Sequence, residues 1–217
     1  MARLDALAQE HGIPLIIDNA YGMPFPNIIY SDVTLNWHEN IILCFSLSKI
    51  GLPGVRTGII VAAPEVVKAV SSLNAIVNLS PTRFGAAIAA PLLNDGRLKQ
   101  LADEVIQPFY RQQAQTAVSL LKRELGAYPL KIHKPEGAIF LWLWFENLPV
   151  SSQTLYEMLK AEGTLIIPGE HFFVGIDRQD YPHAHECIRM SIAQDAETLE
   201  KGIAAIGRVV RGLYDKK

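Results

Sequence analysis

Lys49 follows two serines in Ser46-Leu47-Ser48-Lys49 and opens into a loop rich in glycine and proline that carries Arg56. A lysine amine held out of water loses its proton more readily and becomes a nucleophile toward carbonyl carbon. The hydroxyls of Ser46 and Ser48 and the guanidinium of Arg56 form a donor set suited to a phosphate. Upstream, Asp18 directly follows the apolar run Leu15-Ile16-Ile17, and Tyr21 comes shortly after it. Downstream, Arg189 stands between Ile188 and Met190, where a charge without an anionic partner would be costly. That partner is either a protein carboxylate or a carboxylate on a ligand. Each residue also has an ordinary role open to it. Lys49 can be a solvated loop lysine, Asp18 can cap its own turn, and Tyr21 can be a half-buried aromatic.

Such groups need a frame to hold them. Leu4, Leu7 and Ala8 recur at helical spacing, and Gly12 and Pro14 stop that helix before the apolar run at 15–17. A second run at 41–45 ends at Ser46, and a third at 58–63 follows the Gly51, Pro53, Gly54 loop. Short apolar runs alternating with helices predict an α/β sheet, with Asp18 at a strand's C-terminal end, where open sheets gather ligands. From Pro64 to about Leu125 the pattern is helical, and residues 97–125 read as one long helix bent by Pro108. Beyond Gly126 a separate α+β module is expected: strands at 138–145, 165–167 and 188–192, and helices at 152–162 and 195–213.

Composition narrows the classes. Charged residues are only 19% and the net charge is -2 without a basic cluster, so nucleic acid is not an expected partner. The N-terminal stretch mixes Arg3, Asp5 and Glu10 into its apolar residues, unlike a secretion signal, and the apolar run at 138–145 is too short to span a bilayer. A protein of the cytoplasm is expected, with no membrane partner. The two cysteines, Cys44 and Cys187, form no disulfide framework and suit a reducing compartment. Neither a G-x-x-x-x-G-K-[ST] nor a G-x-G-x-x-G pattern occurs, so those nucleotide-binding loops are not expected.

Five pieces of the chain carry a likeness. They are Ile17-Asp18-Asn19-Ala20-Tyr21, the run from Ser46-Leu47-Ser48-Lys49 to Arg56-Thr57-Gly58, Pro135-Glu136-Gly137-Ala138-Ile139-Phe140, Ile167-Pro168-Gly169, and Ile188-Arg189-Met190-Ser191-Ile192-Ala193. In this order they resemble the signature blocks of the class I aminotransferases of pyridoxal 5'-phosphate (PLP) fold type I. The resemblance implies an α/β fold in which residues 1–100 are the C-terminal part of a large domain with a mixed, mostly parallel sheet. Residues 101–217 would be a long connecting helix and a smaller α+β domain. It implies PLP as cofactor, with Lys49 forming the Schiff base and moving the substrate's α-proton. Asp18 would pair with the ring nitrogen, Tyr21 with the ring 3′-oxygen, and Ser46, Ser48 and Arg56 with the phosphate. Arg189 would take the substrate α-carboxylate through a two-pronged pair. The substrates implied are an amino acid and a 2-oxo acid, valine and pyruvate in particular, and the assembly implied is a homodimer.

These roles also make chemical sense together, because removing an α-proton needs an electron sink, a nearby amine and a carboxylate clamp. The likeness is to the C-terminal half of the family's chain. The family's N-terminal half supplies a further phosphate turn, a ring-stacking aromatic, an asparagine and several strands, so the site is expected to need it. Two alternatives stand beside the enzyme: a non-catalytic PLP-binding module of the kind found in GntR-type regulators, and an inert fragment. His183, His185 and Cys187 are expected to form a polar loop with no metal. Phe140, Trp142 and Trp144 share one strand face and are expected to fill the core of the small domain.

Overall fold

The computed structural model describes residues 1–31, 33–177 and 181–216. The chain divides into two compact units, Met1–Pro108 and Phe109–Lys217.

The first unit opens with helix α1 (Ala2–Glu10) and strand β1 (Leu15–Asp18), as the helical spacing and the apolar run lead one to expect. Strand β2 (Ile41–Ser46) lies parallel to β1 and β3 (Gly58–Val61) antiparallel to β2, giving a mixed sheet in the order β1-β2-β3. Helices α2 (Pro64–Val77), α3 (Phe84–Asn94) and α4 (Arg97–Leu101) follow. Phe25, Leu47, Ala89, Leu98 and Ala102 form the buried cluster of this unit. The long helical stretch continues through a π-helical turn (Ala102–Ile106) into α5 (Gln107–Leu125). Pro108 accounts for that turn: it has no N–H, its ring crowds the carbonyl one turn back, and the wider π turn just before it absorbs the conflict.

The second unit is a four-stranded antiparallel sheet, ordered β4-β5-β7-β6, backed by helices. Its strands are β4 (Leu130–Ile132), β5 (Phe140–Phe145), β6 (Ile167–Pro168) and β7 (Cys187–Ser191). β4 went unanticipated by the sequence pattern. Helices α6 (Ser152–Ala161) and α7 (Ala196–Tyr214) begin on capping side chains, Ser151 accepting from Thr154 N and Asp195 from Thr198 N. Leu141, Leu143 and Phe145 of β5 and Ile188 and Met190 of β7 pack with Ala117, Leu121 and Leu125 of α5 and with α6 and α7 in one core.

This alternation corrects one expectation. Phe140, Trp142 and Trp144 do share a face, but it is the one opposite the core, and all three are only partly buried. Helices cover the leucine face, so the broader rings are left to a layer of loop aromatics, with Trp142 edge-on to Phe172 at 5.3 Å and Trp144 edge-on to His183 at 4.7 Å.

Candidate functional site

In the first unit, register places several of the singled-out residues at one end of the sheet. Asp18, the last residue of β1, lies beside Cys44 of β2, and Ser46, the last residue of β2, lies opposite Gly58, the first of β3. Adjacent strands are separated by about 4.8 Å, so these ends are close neighbours. Asp18 Oδ1 accepts a hydrogen bond from Ala20 N at 3.2 Å, so the turn-capping role is real. The Cys44 thiol is pushed up from its ordinary range, first by burial and then by the negative charge of Asp18.

The segment after β1 folds back on itself. Ile28 N donates to Tyr21 O and Asn27 N to Gly22 O, while buried Asn19 donates its side-chain amide to Met23 O at 2.6 Å. Gly22 leaves room for that amide, since a Cβ at its position would fall 2.1 Å from Asn19 Oδ1 and displace it. This closed loop fixes Tyr21, and the Lys49 amine lies 5.7 Å from the centre of its ring.

Lys49 is presented by a 3-10 turn, Ser48–Ile50. Leu47, fully buried, roots that turn: its N–H donates to Thr57 O, and its carbonyl accepts from both Ile50 N and Leu52 N. Ser46 Oγ accepts from Ser48 N at 3.2 Å, which holds the two hydroxyl-bearing residues together. A second 3-10 turn, Pro53–Val55, ends at Arg56, whose backbone is left-handed (φ 47, ψ 47). Arg56 thus sits just ahead of Gly58 and the Ser46 strand end. The first unit therefore brings the segments that carry Asp18, Tyr21, Ser46, Ser48, Lys49 and Arg56 to one end of its sheet, with the Lys49 amine beside the Tyr21 ring.

Arg189 belongs to the second unit, on the open face of β7, opposite Trp142 in the register. Its guanidinium carbon lies 4.1 Å from the centre of the Phe140 ring and 4.9 Å from that of Phe172. Among the described residues no carboxylate pairs with it. The two rings are the neighbours that sequence reasoning missed, since it consigned Phe140 to the core and passed over Phe172. The apolar alternation on both faces of β5 was the signal that one row of rings had to be used elsewhere. His183 packs against Trp144 and approaches Cys187 Sγ at 3.5 Å, and His185 pairs with Glu170 at 3.3 Å.

The model of the aminotransferase class I and II family matches residues 2–206. The chain belongs to that family. It is 46% identical to valine–pyruvate aminotransferase of Escherichia coli over 97% of its own length and 50% of that protein's. Among solved structures it resembles a putative amino-acid aminotransferase from Psychrobacter arcticum, with 69% identity and a TM-score of 0.96, covering all of this chain and 50% of that one. It also resembles valine–pyruvate aminotransferase from Salmonella typhimurium, with 44% identity and a TM-score of 0.91, covering all of this chain and 55% of that one. The chain thus spans about half the length of the aminotransferases it matches. Its α/β fold is that of the fold type I aminotransferases.

Proposed function

We propose that this chain forms part of a PLP-dependent aminotransferase that moves an amino group from valine to pyruvate, giving 2-oxoisovalerate and alanine. The observation that carries the reading is the Lys49 amine held by a rooted turn beside the Tyr21 ring, at the sheet end where Asp18 and Ser46 also terminate. The donor set fits PLP by its chemistry: a carboxylate for the ring nitrogen, a phenol for the ring oxygen, and Ser46, Ser48 and Arg56 for the phosphate. When bound, PLP supplies the electron sink that lets a substrate α-hydrogen leave as a proton.

The chain's own residues do the rest. Lys49 Nζ accepts the α-proton and returns it on the far side of the transfer, a role that a flexible amine on a fixed turn suits. Asp18 keeps a negative charge at the strand end and so favours a protonated heterocycle. Arg189 takes the substrate α-carboxylate, and the lack of a carboxylate partner among the described residues supports that role over an internal ion pair. Residues 1–100 are assigned to the cofactor domain and 101–217 to the connecting helix and small domain. The assembly is a homodimer of the cytoplasm; the free cysteines support a reducing compartment, and among the described residues no helix is long and apolar enough to cross a membrane.

The test is to mix protein and PLP, look for a visible absorption band that borohydride bleaches, and repeat with Lys49→Ala. Loss of the bleachable band in the variant is expected; its persistence defeats the assignment of Lys49. Alanine formed from valine and pyruvate tests the substrates separately, and light scattering tests the dimer.

A further inference from the structure

We propose that Phe140 and Phe172 are positioning residues for Arg189, holding its guanidinium against two ring faces so that its N–H edge stays free for a substrate carboxylate. The inference rests on the reading of Arg189 given above. Its observation is the pair of ring contacts, 4.1 Å and 4.9 Å from the guanidinium carbon, both inside the range in which a cation is attracted to an aromatic face.

A guanidinium is planar and weakly hydrated, and its donors all point outward in its plane. Aromatic ring faces against it therefore restrain it through contact and charge attraction while offering no acceptor atom that would fill its fork. A carboxylate doing the same job would neutralise the charge and fill the fork. Among the described residues no carboxylate does so. Among the described residues, this half-buried cation is thus held with no carboxylate on its donors.

The construction behind the rings shows that they are themselves fixed. Phe140 lies on β5, one step diagonal from Arg189 on the same sheet face, since Phe140 pairs with Ser191 and Trp142 with Arg189. Phe172 comes from a 3-10 turn, Gly169–Phe172, that leaves β6 as soon as Ile167 and Pro168 have paired with Arg189 and Ile188. Gly169 lets that turn lie against β7, for a Cβ there would stand 2.6 Å from the Cys187 carbonyl oxygen. Glu170 then pins the turn by accepting from Ser152 Oγ and Gln153 N at the start of α6 and by pairing with His185. Trp142, edge-on at 5.3 Å, supports the Phe172 ring itself.

The test reads the guanidinium directly, in a proton–nitrogen correlation spectrum of the arginine Nε–H groups, with the Arg189 signal assigned by its loss in Arg189→Lys. That signal should be displaced from those of exposed arginines by ring currents. Phe172→Leu should return it toward them, and Phe172→Tyr should retain the displacement. Added pyruvate should shift the same signal, with the affinity about tenfold weaker in Phe172→Leu and within about twofold of wild type in Phe172→Tyr. The backbone amide spectrum checks that each variant keeps its fold. If pyruvate shifts the Arg189 signal with the same affinity in wild type and Phe172→Leu, the clamp is overturned and the carboxylate role of Arg189 survives. If the signal is displaced in wild type but pyruvate leaves it unmoved, the carboxylate role fails, and the positioning role falls with it.

Discussion

Cys187 is wholly buried at the start of β7, and burial pushes its thiol up from 9.0 to about 12, with the charge of Glu186 acting in the same direction. A thiol that ionises later in the folded state than in the unfolded one stabilises the fold fully below its ordinary pKa. That stability is lost as pH rises through the window from 9.0 to about 12. Tyr214, raised from 10.0 to about 12 chiefly by burial, adds to the loss in the upper part of the window. The denaturation midpoint should therefore fall across this range, and less steeply in Cys187→Ala; equal slopes in the two proteins would refute the account. Gly169→Ala should lower stability by about 1–3 kcal/mol, because the clash is with backbone that cannot swing away. Much of the proposed cofactor site was legible at this scale, since Asp18, Tyr21, Lys49 and Arg56 follow apolar runs or lie in a glycine-rich loop. The Arg189 clamp was not, because Phe172 reaches it through a turn whose path depends on a missing Cβ and a pinned glutamate.

Elements differ in what ends them and in which face they bury. Asp195 accepts from both the N–H and the hydroxyl of Thr198, so Asp195→Ala should cost about 1 kcal/mol and shift the urea midpoint without altering the slope. Leu143 is fully buried on the helix-covered face of β5, and Leu143→Ala should cost about 2–5 kcal/mol. Periodicity revealed β5, its alternation and the helices around it. It could not say which face was the core, because leucines and phenylalanine alternate with tryptophans and phenylalanine, and both rows are apolar. Packing decided, by setting α5, α6 and α7 on the leucine side. β4 escaped notice because it has only three residues, with Lys131 in the middle; its neighbour's register makes it a strand. The bend expected at Pro108 became a π turn placed before the proline, a distinction that composition does not carry.

The whole molecule has two units with cores of unequal depth. The second unit's cluster joins one sheet face to three helices, whereas α2 of the first contributes no buried residue. Amide hydrogen exchange should therefore be fast along α2 and slowest in β5 and β7; comparable protection in α2 would contradict this reading. The left-handed backbone at Arg56 bears on the molecule's fitness in a different way. A side chain there costs about 1 kcal/mol that glycine would not. Arg56→Gly should accordingly melt later and hold phosphate less well. Breeding this protein for heat resistance alone would thus tend to discard the charge proposed to hold the phosphate.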